Sequence, residues 1–141
     1  MIDDIHHLGL TVRDVEVSAA WYTDVLGFHR VGDYNAPDGG RRKVFLRHDG
    51  LRARLGLTQH QHAASEAFDE TRAGLDHLAF GVSSTEELHG WAQRFAEAGV
   101  TFSPVASANS IPGAAVLVFR DPDNIQLELF FDPSATVGAQ S

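Results

Sequence analysis

A chain of 141 residues with 43% apolar side chains is the size of one ordinary domain and able to build a hydrophobic core. Acidic residues outnumber basic ones by 19 to 11, giving a formal charge of -8, and no run of Lys or Arg offers the positive stripe that a nucleic-acid backbone requires. With no cysteine, disulfides, thiolate nucleophiles and sulfur-ligated metal sites are excluded, so any metal has to be held by His and carboxylates.

The N-terminus, Met1-Ile2-Asp3-Asp4, is acidic where a signal peptide is basic, and no apolar stretch approaches the roughly 20 residues that span a bilayer. A cytoplasmic protein without membrane contact is expected. The alternating run from His7 to Val12 predicts a strand, and Val17, Ala20, Trp21 and Val25 then recur at helical spacing until Gly27 stops them. Three more strands are predicted at Phe28 to Gly32, Lys43 to His48 and Arg52 to Thr58. Turn-forming residues, Pro37-Asp38-Gly39-Gly40 and His48-Asp49-Gly50, separate them. Residues 59–73 are polar and His-rich and read as a linker.

The second half opens with a strand through His77 to Val82. Ser84 and Glu87 follow at capping-box spacing, Leu88, Trp91, Ala92 and Phe95 form an apolar stripe, and Gly99 closes the helix. Strands are predicted at Val100 to Phe102, Ala114 to Arg120 and Ile125 to Phe131, with turns at Pro112-Gly113 and Asp121-Pro122-Asp123-Asn124. Residues 134–141 read as a flexible tail.

The two halves are copies of one another. His7-Leu8-Gly9-Leu10-Thr11-Val12 matches His77-Leu78-Ala79-Phe80-Gly81-Val82 at an offset of 70, as Trp21 matches Trp91. After a slip of two residues, Gly27 falls on Gly99, Asp49 on Asp121, and Leu55-Gly56-Leu57 on Leu127-Glu128-Leu129. The fold class expected is α+β: two tandem βαβββ modules, residues 1–58 and 74–133, forming a cupped mixed sheet with the helices on its outer face.

Strand alternation assigns the faces. Leu8, Leu10 and Val12 share the helix side while His7, Gly9 and Thr11 take the other; likewise His77 and Glu128 point away from the helices. His6 falls, by parity, on the face opposite His7. A lone His or Glu on the second face of a strand is ordinarily just solvated, but His7 and His77 are repeat mates, which random surface histidines need not be. Two imidazoles and one carboxylate make the triad suited to one divalent ion, Fe, Mn, Zn or Ni, with open positions for water and substrate. Arg54, Thr58, Gln126 and Phe130 share the cup-facing parity, and Thr11 lies near the end of the first strand, so these five are candidate substrate contacts. Tyr34, His48, His60 and Asn109 lie on or near loops whose direction periodicity does not fix, and no general base is assigned.

The segments His7 to Asp14, Trp21 to Phe28, Gly74 to Phe80 and Asp121 to Leu129 together resemble the vicinal oxygen chelate superfamily of glyoxalases, bleomycin-resistance proteins and extradiol dioxygenases. The resemblance covers nearly the whole chain. It implies paired βαβββ modules, a homodimer, and metal ligands on the first and last strands of the modules, positions held here by His7, His77 and Glu128. Gly56 departs from the pattern: glyoxalase I enzymes resemble one another in placing a second carboxylate there. The function implied by the resemblance is that of a divalent-metal-dependent small-molecule enzyme, a dioxygenase or a glyoxalase-like lyase. The alternative is a bleomycin-resistance-type protein that sequesters a drug or metabolite without catalysis. The metal site is built within one chain or shared across a dimer.

Overall fold

A computed structural model of the protein describes residues 1–135, so the expected tail lies outside the described residues from position 136 onward. The chain divides into two compact units, the first ending at Glu66 and the second beginning at Ala67.

The first unit runs β1 (His7–Thr11), α1 (Val15–Leu26), β2 (His29–Asn35), β3 (Arg41–Arg47) and β4 (Arg54–His60). The second runs β5 (Leu78–Val82), α2 (Thr85–Ala98), β6 (Ala106–Ser107), β7 (Ala115–Arg120) and β8 (Gln126–Phe131). Each forms one four-stranded mixed sheet, ordered β1-β4-β3-β2 and β5-β8-β7-β6. In each the first strand lies parallel to the last, the crossover being made by the helix, and the remaining pairs are antiparallel. The α+β fold with a duplicated βαβββ unit is therefore present.

Capping chemistry sets the helix ends. Asp14 accepts from the N–H groups of Glu16 and Val17 at 3.0 and 3.1 Å, and Gly27 closes α1 in the left-handed conformation with φ 78°. In α2 the Ser84 hydroxyl accepts from Glu87 N–H at 3.2 Å, while the Glu87 carboxylate reaches Ser83 N–H at 2.8 Å, one residue before the donor of a standard capping box.

The buried row of α1 is Val15, Ser18, Ala19, Tyr22 and Leu26, which corrects the row predicted from sequence. Val17 is 54% exposed and Trp21 only half-buried. Both rows recur at helical spacing, so periodicity could not choose between them; the row that carries Tyr22 and Leu26 faces the sheet. Tyr22 shares the buried core with Leu10, Val44, Leu46, Leu55 and Leu57 and packs edge-on against Phe28. Each such side chain contributes about 1.5–3 kcal/mol by burial. In the second unit Phe95 is buried beside Phe119, with ring centroids 4.6 Å apart, and Leu88 is fully buried. Trp91 is half-buried under the Arg94 guanidinium.

Strand ends differ from the sequence reading. β4 continues to His60, two residues beyond Thr58. The strand predicted at Val100 to Phe102 is reduced to a bridge between Phe102 and Phe119, and pairing resumes only as the two-residue β6. Pro104 stands between them and has no N–H to give to a ladder. At the last turn Asp121 is buried and accepts from Asp123 and Ile125 N–H at 2.8 and 2.9 Å. Asn124 takes the left-handed conformation there, φ 65°, without a glycine. No helix among the described residues is long and apolar enough to cross a membrane.

Candidate metal centre

Residues paired across a ladder project to the same face, so the registers locate each candidate. In the second unit Leu78 pairs with Leu127 and Phe80 with Leu129, both β8 residues being buried toward the helix side. Glu128, opposite Ala79 on β5 and Val118 on β7, is thereby placed on the other face. His77 stands immediately before β5, and its Nε2 is 3.6 Å from Glu128 Oε2, which brings it to the Glu128 side. The Glu128 side chain is only 16% exposed, so these donors meet in a partly desolvated setting.

The orientation of His77 is fixed from behind. Its Nδ1 lies 2.7 Å from Asp76 Oδ1; a carboxylate only accepts, so Nδ1 carries the hydrogen. In the neutral imidazole the Nε2 lone pair then faces the Glu128 carboxylate. Two electron-pair donors so placed are satisfied by a cation between them, and ligand distances of about 2.0–2.2 Å allow donors at this separation to share one ion. The donor chemistry thus fits a divalent metal, with Asp76 in the supporting position that metal-bound histidines use.

Asp76 is itself held. Gln126 Nε2 donates to its Oδ1 and backbone carbonyl at 3.2 and 3.3 Å, and Gln126 Oε1 accepts from Arg120 Nη2 at 3.2 Å. Arg120 in turn forks onto Glu70, with bonds of 3.0 and 2.8 Å. Hydrogen bonding from Arg120 holds the Glu70 carboxyl down to about 2 from its ordinary 4.5. A continuous polar chain runs from Glu70 to His77 within the one unit.

In the first unit His7 opens β1 and its Nδ1 is 2.9 Å from Nδ1 of His6, with the rings edge to face. His6 precedes the strand, so the alternation used to send it to the opposite face does not apply, and its ring turns to His7 instead. His7 pairs with Arg54, Gly9 with Gly56 and Thr11 with Thr58. Gly56 is the repeat mate of Glu128 and contributes no donor; a Cβ there would sit 3.6 Å from the Leu8 carbonyl, ordinary contact.

Of the predicted ligands, His77 and Glu128 are brought together and His7 belongs to the other unit. Among the described residues no group of three or more His, Asp or Glu is gathered to hold a metal ion. Of the predicted substrate contacts, Thr11 and Arg54 are exposed and Thr58 and Phe130 half-buried, while the Gln126 amide is engaged at both ends. Sequence reading missed the roles of Asp76, Arg120 and Glu70. Only Asp76 carried a signal, as the carboxylate directly before His77.

Known proteins share both the sequence pattern and the fold. Residues 4–129 match the model of the Glyoxalase/Bleomycin resistance protein/Dioxygenase superfamily. The chain is 28% identical over 130 residues to the Bacillus subtilis protein YwkD, spanning 92% of this chain and 98% of that one. It is 33% identical over 95 residues to a Bacillus subtilis catechol-2,3-dioxygenase, 67% of this chain but only 32% of that enzyme. The crystal structure of a glyoxylase/bleomycin resistance protein/dioxygenase domain from Frankia sp. EAN1pec superposes with a TM-score of 0.83 at 33% identity, covering 94% of this chain and 99% of that one. With nearly the full length matched in sequence and in fold, this chain belongs to the glyoxalase/bleomycin resistance protein/dioxygenase superfamily.

Proposed function

We propose that the protein is a divalent-metal-dependent enzyme acting on a small oxygenated molecule, with His7, His77 and Glu128 as the metal ligands. The observation that carries this reading is the pairing of His77 Nε2 with Glu128 Oε2 at 3.6 Å while Asp76 holds the opposite ring nitrogen. When bound, Fe, Mn, Zn or Ni would supply a Lewis acid for neighbouring substrate oxygens. The chain's own residues do the rest. Asp76 and Gln126 keep the imidazole aimed, and Gly56, offering no side-chain donor, leaves space for substrate. Phe130, Val116 and Val118, on the face of Glu128, supply apolar contact and restrict water.

The reaction fits a dioxygenase or a glyoxalase-like lyase, in a cytoplasmic homodimer. The ligands of one centre come from the two modules of one chain or by exchange between partners. Those apolar neighbours of Glu128 also suit a second reading, sequestration of an aromatic drug without catalysis. Protein purified without chelator and loaded in turn with each metal separates the two, assayed for oxygen uptake with catechols and for isomerisation of hemithioacetals. Metal-dependent turnover in either assay is expected. Inactivity with every metal, together with tight metal-free binding of a bulky aromatic drug, would replace catalysis by sequestration.

A further inference from the structure

The sheet of the first unit turns one face to its helix and leaves the other polar, and that second face is strongly basic. Register places Arg54 of β4, Arg41, Lys43 and Arg47 of β3, and Tyr34 of β2 on it, because Arg41 pairs with His60, Lys43 with both Thr58 and Tyr34, and Arg54 with His7. The alternate residues Val44, Leu46, Leu55 and Leu57 are buried on the helix side. None of the strand residues on this basic face is acidic.

Four other arginines of this acidic chain have counter-charges, and Arg94 stacks on Trp91. Arg30 and Arg42 converge on Glu16, Arg120 on Glu70, and Arg52 lies 3.3 Å from Asp4. Among the described residues no carboxylate pairs with Arg41, Lys43, Arg47 or Arg54. With 19 acidic residues available in the chain, a face of cations left without one is an electrostatic arrangement that an anion from outside would complete.

At one end of this face lies a cleft of about 560 Å³, lined by Tyr34, Arg41 and His60 together with the turn residues Ala36, Pro37, Asp38 and Gly40. Its frame is held by backbone bonds: Ala36 N–H to Arg41 O at 3.0 Å, Gly39 N–H to Ala36 O at 2.9 Å, and Gln61 N–H to Gly40 O at 3.0 Å. Asp38 is the acid of the lining, and its Oδ1 accepts from Gly40 N–H at 2.8 Å within the turn. Arg41, His60 and Tyr34 bring a guanidinium, an imidazole and a phenol hydroxyl to the lining.

We propose that this cleft is a binding site for the oxyanion of a small molecule, a carboxylate or phosphoryl group held chiefly by Arg41 with His60 and Tyr34. The guanidinium is suited to two parallel hydrogen bonds to such a group, which neutral donors alone do not match. The site stands independently of the metal reading.

Intact protein in excess chelator, titrated with inorganic phosphate and separately with malonate at constant ionic strength, tests it by amide NMR. Saturable shifts are expected at residues 34–41 and 60. Arg41→Ala is expected to weaken binding about tenfold, with Arg41→Lys intermediate because it keeps charge but loses the fork. Arg52→Ala, which removes the same charge outside the cleft, is expected to bind as wild type. Response to phosphate alone assigns a phosphoryl group, and to malonate alone a carboxylate. Should Arg41→Ala fail to fold, His60→Gln serves in its place, with weaker binding again expected. No saturable shift with either anion, binding unchanged in the folded cleft variant, or equal weakening by Arg52→Ala would overturn the proposal. Because metal is absent throughout, failure here leaves the metal centre untouched, and failure of the metal centre leaves this result standing.

Discussion

Asp76 is the residue whose role the structure changes most. Its carboxylate accepts a hydrogen bond from His77 Nδ1–H and so presents Nε2 toward Glu128. Removing it frees the ring to rotate and to change tautomer without disturbing the core, since Asp76 is exposed. Asp76→Ala is expected to lower divalent-metal affinity about 10- to 100-fold, measured by competition with a chromophoric chelator, with the melting temperature nearly unchanged. Affinity equal to wild type would make the Asp76 contact incidental. His77 and Glu128 were legible in the sequence because strand parity and the repeat both single them out. Asp76 was not, because periodicity says nothing about which neighbour a ring nitrogen bonds. The basic cleft was hidden for a related reason: Arg41, His60 and Tyr34 lie on three different strands, and only the register aligns them.

At the level of elements, the duplicated strand-helix-strand order followed from alternation, helical spacing and two terminal glycines, and it appears in both units. The face of α1 did not follow, since Ser18-Ala19-Ala20-Trp21-Tyr22 allows two apolar rows one residue apart. Mutation distinguishes the rows. Tyr22→Ala should cost about 3–5 kcal/mol in denaturant unfolding, as for a large aromatic cut from a core, whereas Val17→Ala should stay within about 0.5 kcal/mol. The reverse order would restore the row read from sequence. Likewise the break after Phe102 was marked by Pro104, but alternation across Val100 to Phe102 concealed how little of that segment pairs.

Across the whole molecule, the two modules share a fold and differ in chemistry. The first carries cations on the sheet face away from its helix, and the second carries Glu128 among Val116, Val118 and Phe130, with Arg120 neutralised by Glu70. That last pair has a pH signature. The folded pKa of Glu70 is depressed to about 2 from 4.5, so its contribution to stability is full above 4.5 and is lost as pH falls toward 2. The difference in unfolding free energy between wild type and Glu70→Gln should therefore be constant above about pH 5 and vanish on acidification through that window. A difference that persists at pH 2 would assign the loss to something other than this carboxylate. Metal content bears most directly on the proposed centre, measured by elemental analysis of protein purified without chelator and dialysed against each divalent ion. One ion per chain is predicted for wild type and for the surface variant His89→Ala, and almost none for His7→Ala, His77→Ala or Glu128→Ala. Wild type that takes up no metal, or ligand variants that keep it, would contradict the assignment.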